Sequence, residues 1–187
     1  MSKSSLTSVS LKFIDIMVGV ILGLGFQWWP SLVEPWQYLA FIFAYVDIVD
    51  YWIDYSPSLK KYPPKKEFDI FIDMVIMFSI FLYVYSTQLT IERFLLAYVL
   101  FSIVDIIWLY RAQYEHAPNR MASKKKEHAF LATWLKFNTI QAGYTLGLVI
   151  FSLFVPVASF ALLSVFVVLR IVTRVLASLG YKKVYLA

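Results

Sequence analysis

Seven aspartates set in apolar sequence have the most capacity for chemistry here: Asp15, Asp47, Asp50, Asp54, Asp69, Asp73 and Asp105. A charge near the centre of a bilayer costs about 2.5–3.5 kcal/mol even on the lenient insertion scale, so such residues face protein or water. Asp47, Asp50 and Asp54 follow i, i+3, i+7 spacing and share one helical face. Arg170 and Arg174 lie one turn apart, Lys136 lies at similar depth, and Lys12 stands at the start of the first apolar stretch. Two outcomes follow from these types. Asp–Arg and Asp–Lys pairs lock helices together, with Asp15 and Asp69 also well placed at helix N-termini. Alternatively, seven acids against four bases leave a negative, wet vestibule that concentrates cations.

Other chemistry is sparsely provided. The chain has no cysteine, which removes disulfides, thiolate metal sites and cysteine nucleophiles. His116 and His128 sit in two Glu-His-Ala triplets beside Lys124-Lys125-Lys126. They have the chemistry of metal ligands or pH sensors, but that setting is one of solvated loop residues. Asp47-x-x-Asp50 is similar to the aspartate motif of membrane phospholipid-synthesising transferases. That motif needs glycine directly after its second Asp, and here Tyr51-Trp52-Ile53 follows. No Walker motif, serine elbow, HExxH or glycine-rich phosphate loop is present. The expectation is a protein that is not an enzyme, with no metal and no cofactor.

The elements that position these residues are transmembrane helices. The chain has 187 residues, 60% of them hydrophobic, against about 45–50% in soluble proteins, and a mean hydropathy of +0.69. Apolar runs predict an all-α bundle of six spans, one domain over 1–187, near 11–29, 36–55, 68–87, 91–110, 129–153 and 157–179. Each is close to the roughly 20 residues that cross a bilayer. Pro30, Pro35, Pro57, Pro63-Pro64, Pro118 and Pro156 mark the breaks, the last being the least marked. The first stretch is too long for a signal-peptide core and has no small-x-small site after it, so it is expected to stay. Of 17 basic residues, 16 fall at the ends, in loops 56–67 and 111–128, or in the helix residues beside them; only Arg93 lies opposite. The positive-inside rule then puts both termini in the cytosol of a cell-membrane protein. The net charge of +5 is thereby assigned to topology rather than to nucleic acid. The basic loops are expected to lie against anionic lipid headgroups. Trp28, Trp29, Trp36 and Tyr38 read as an outer aromatic belt, and Tyr51, Trp52, Tyr55, Trp108 and Tyr110 as an inner one.

The first helix carries Gly19, Gly23 and Gly25, including a G-x-x-x-G pair that permits close helix approach or a narrow pore wall. It also carries Phe13-Ile14-Asp15 near its inner end, and the second helix reads Tyr45-Val46-Asp47 through Tyr51-Trp52. In topology and in these segments the chain resembles the small prokaryotic members of the transmembrane protein 175 family of potassium channels. Their first-helix hallmark is Phe-Ser-Asp, with Ile14 here in place of its serine. The resemblance implies a pore lined by the first helix, with its apolar constriction at Val20 and Leu24, and a homo-oligomer conducting a monovalent cation.

The leading expectation is therefore a passive cation channel or leak pathway fed by the inner aspartates. Two alternatives stand beside it. One is a non-catalytic sensor or scaffold subunit that binds a cytosolic partner through loop 111–128. The other is the substrate-binding membrane subunit of a small-solute transporter, whose outer aromatics form the pocket.

Overall fold

A computed structural model of the chain describes residues 3–116 and 122–186, with side chains placed for residues 10–116 and 129–181. The described residues form six α-helices: α1 (Lys3–Gly25), α2 (Pro35–Lys61), α3 (Glu67–Tyr85), α4 (Ile91–Glu115), α5 (Ala122–Phe154) and α6 (Ser159–Leu186). Short 3-10 turns, Phe26–Ser31 and Ser86–Gln88, carry the chain onward from α1 and α3.

Five of these helices are long and apolar enough to cross a membrane. The exception is α2. Its 27 residues make it about 40 Å long, but Asp47, Asp50 and Asp54 dilute its apolar run from the middle onward. The outward faces carry Ile42, Val46, Phe71, Phe78, Ile103 and Val168, all between 46% and 63% exposed. In water, apolar surface on that scale is penalised by about 25 cal/mol per Å². In hydrocarbon the penalty vanishes, and the surface is that of a membrane-embedded protein.

The helix ends are built by local chemistry. Pro35 occupies the first position of α2, where its missing N–H is no loss. The Gln37 side-chain oxygen accepts hydrogen bonds from the Val33 and Glu34 amides at 2.7 and 3.0 Å. At the start of α3, Asp69 accepts from the Lys65 and Lys66 amides at 2.6 and 2.7 Å. Lys65 also donates its ammonium to the Glu115 carbonyl, placing a cation on the C-terminus of α4. Lys60, Lys61, Lys65, Lys66 and Arg111 thus gather at one end of the bundle, hereafter its basic end.

The helices pack in a closed ring. α1 lies on α2 and α3, α3 on α4, α4 on α5, α5 on α6, and α6 returns to α2. The break between α5 and α6 falls at residues 155–158, around Pro156. Contacts between Gln141 and Thr173 and between Phe130 and Tyr181 run the two helices antiparallel. At Gly25 a Cβ would come within 2.3 Å of the Tyr45 hydroxyl and 3.0 Å of Val84, so glycine is what lets α1 close on its neighbours here.

The inner aromatic belt needs correction. Trp52 and Tyr110 are exposed as a belt requires, but Tyr51, Tyr55 and Trp108 are buried at 8%, 0% and 0%. They are core residues because buried carboxylates hold them by their hydroxyls or pack beside them. Arg120, Lys124-Lys125-Lys126, His128, Lys182, Lys183 and residues 117–128 of the partner segment carry side chains outside those described.

Candidate functional site

α2 and α6 run parallel, and their facing residues form an ion-pair ladder. Arg170 lies 2.6 Å from Asp47 and 3.9 Å from Asp50. Arg174 lies 2.7 Å from Asp50 and 2.6 Å from Asp54. The i, i+4 spacing of the arginines matches the i, i+3, i+7 spacing of the aspartates, so each guanidinium bridges two rungs. Asp47 is buried, whereas Asp50, Asp54 and Arg174 are about a third exposed, at 35%, 33% and 29% of their side chains.

Inside the ladder is a polar cleft between α2, α4, α5 and α6, with about 40 Å³ of room. Asp50 and Asp54 enter it from α2, Asp105 from α4, Asn138 and Gln141 from α5, and Arg170 and Arg174 from α6. Asp105 is 1% exposed. It accepts a 2.9 Å hydrogen bond from the Tyr51 hydroxyl and a second from the Asn138 amide. No basic side chain among the described residues pairs with it. Further from the basic end, Tyr98 donates to Gln141 at 3.0 Å, and Gln141 donates to Thr173 at 3.3 Å. A ring cluster then closes the space: Phe166 lies 4.9 Å from Tyr98, 5.7 Å from Phe43 and 6.0 Å from Phe94.

The remaining acids are held elsewhere. Asp73 is fully buried and accepts from Tyr55 at 2.7 Å and from Ser10. Tyr55 stacks on Tyr51 at 5.0 Å, so two neighbouring tyrosines of α2 serve two separate carboxylates. Asp69 faces the Arg111 guanidinium at 3.2 Å. Asp15 is exposed and accepts from the Trp52 indole at 3.0 Å.

Of the expected basic partners, Arg170 and Arg174 meet their aspartates. Lys136 does not: it is exposed on α5 and makes no ion pair among the described residues. Val20 and Leu24 are 41% and 42% exposed and point out of the bundle, away from the cleft. Phe13 packs on the core beside the buried Ile14. Gly19 and Gly23 have open space where a Cβ would stand, so within one chain they receive no neighbouring helix.

Sequence reasoning missed Tyr51, Asn138 and Gln141 as parts of the site. Asn138 and Gln141, three residues apart in an apolar run, share a face, and that spacing was the available signal. The ring closure at Phe166 had none, because a buried phenylalanine is ordinary in any apolar helix. The chain matches no family model, no curated protein and no solved structure.

Proposed function

We propose that the chain is a multi-pass cell-membrane protein, with its basic end and both termini in the cytosol, that gives a cation a passive path through the polar cleft. One observation carries this reading: among the described residues, Asp47, Asp50 and Asp54 share two guanidiniums, Arg170 and Arg174, and Asp105 has no basic partner. Three ladder carboxylates against two guanidiniums leave the interior acidic before Asp105 is counted, which favours a cation there. The acidic vestibule of this reading is the cleft, opening towards the basic end, and the Phe166 ring cluster is its dry barrier. Potassium is the first ion to test, from the resemblance in the first two helices.

A second reading is favoured by α1. Ile16, Val20 and Leu24 form an exposed line along it, with Asp15 at the basic end and the open Gly19 and Gly23 alongside. In a homo-oligomer this line would be the pore wall, with Val20 and Leu24 as the constriction.

Potassium-loaded liposomes carrying purified protein separate the two. Asp105→Asn is expected to lower flux at least several-fold, with Leu24→Ala close to wild type. An effect of Leu24→Ala alone moves the path to α1. No flux from folded protein of either kind would overturn the channel and favour a sensor, a scaffold or a solute-binding subunit.

A further inference from the structure

The polar cleft has a neighbour on the lipid side. Between α2 and α6, outside the ladder, lies a groove of about 220 Å³. Its walls are Phe43, Val46, Ile171 and Val175, and its floor is Asp47, Asp50, Arg170 and Arg174. Asp50, Arg170 and Arg174 therefore border both the groove and the cleft. Val46 and Val175, at 63% and 54% exposed, place the groove mouth on the lipid-facing surface. Asp50 and Arg174, paired and about a third exposed, offer polar surface to an occupant at that depth.

We propose that this pair of spaces binds a single-chain amphiphile with an ammonium head, an alkylamine, entering from the membrane through the α2–α6 seam. The proposal rests on the cleft reading above, since both need a cation to be favoured in the cleft, and it names a ligand that would be held there. The apolar groove suits an aliphatic tail, and the cleft has the room and charge for a small cationic head. An anionic head is excluded by charge, since three aspartates and two arginines line the ladder. A resident divalent metal ion wants several free oxygens. Here the carboxylates of Asp47, Asp50 and Asp54 are engaged by guanidinium, and Asp105 already accepts from two donors. An ammonium needs fewer oxygens, and Asp105 keeps lone pairs for it. The aromatic rings of Tyr51, Tyr98, Phe101, Trp134, Phe137 and Tyr181 line the same cleft and add cation–π attraction. Among the described residues the Arg170 Nε–H is buried and without a partner, and Arg170 lines both spaces. That donor fits a hydroxyl on the carbon next to the amine.

The test is thermal melting of the intact protein in lipid nanodiscs with three probes of equal tail: 2-aminooctan-1-ol, octan-1-ol and octyl phosphate. The amine is expected to raise the melting temperature by a few degrees, and the alcohol and the phosphate are expected not to. Asp105→Asn should abolish the rise, and Val46→Trp, which fills the groove and leaves every acidic residue in the sequence, should do the same. Equal shifts with all three probes, or a full shift in folded Val46→Trp, would overturn the proposal. Potassium flux that depends on Asp105 without an amine-specific shift keeps the cation path and removes the alkylamine. An amine-specific shift without potassium flux supports the ligand and removes the channel.

Discussion

Arg170 is the residue on which the buried charge of the bundle turns. Its side chain is 12% exposed, and it is the 2.6 Å partner of the buried Asp47. Removing one member of a buried pair leaves the other uncompensated and costs about 3–5 kcal/mol, whereas replacing both by apolar groups is often neutral or stabilising. Arg170→Ala is thus expected to lower the melting temperature sharply in detergent. Arg170→Leu combined with Asp47→Leu should recover most of the loss while abolishing any flux that uses the cleft. A double variant as unstable as Arg170→Ala would place the weight of Arg170 outside this pair. Arg170, Arg174, Asp47, Asp50 and Asp54 can be matched from spacing alone, because two helical periods of opposite charge either align or do not. Lys136 fails that test in the structure because an exposed lysine on α5 faces away from every acid described. Tyr51 and Tyr55 were illegible as ligands of Asp105 and Asp73, since interfacial and core tyrosines share the same sequence setting.

At the scale of elements, the junction of α2, α3 and α4 at the basic end makes a pH-dependent contact. His116, just beyond α4, packs its ring on Tyr62 at 5.6 Å. Burial first, and then the Lys65 ammonium, hold its imidazole below the ordinary value. The folded protein therefore takes up that proton less readily than the unfolded chain. The stability it contributes is complete above the unfolded value of about 6.5 and is lost as pH falls through the lower folded value. Melting temperatures followed from about pH 8 to pH 5 should fall less steeply in His116→Phe than in wild type; parallel curves would remove His116 from the acid response. The helices themselves were legible from apolar runs and prolines, since hydrophobic length is a strong signal. Their ends were less so. α5 begins at Ala122 and α6 continues to Leu186, because a helix does not stop where its apolar stretch stops.

Across the whole molecule, charge and apolarity are sorted along one axis. The ladder, Asp105, Asp73 and Asp69 occupy the half nearest the basic end, and the Phe166 cluster lies towards the other. The basic residues of that end that are described, Lys60, Lys61, Lys65, Lys66 and Arg111, belong to the 16 that the sequence reading assigns to one side. The choice between an interior path and a wall built from several copies of α1 was not. Helical periodicity reports that a face is apolar, and lipid and a neighbouring subunit are alike apolar surroundings.

The ladder also imposes an order of assembly. During synthesis α2 emerges early with Asp47, Asp50 and Asp54, each costing about 2.5–3.5 kcal/mol at mid-bilayer. Its guanidinium partners are on α6, which is made after α3, α4 and α5. Until α6 is made, the carboxylates of α2 lack their ladder partners. A chain truncated after Phe154 is therefore expected to leave α2 poorly inserted, read as altered accessibility of an engineered cysteine at Ile42 in this cysteine-free sequence. Unchanged accessibility would mean that the first five helices hold α2 without help. On this view α6 completes α2, and a chain that stops before it leaves the acids of the ladder unpaired.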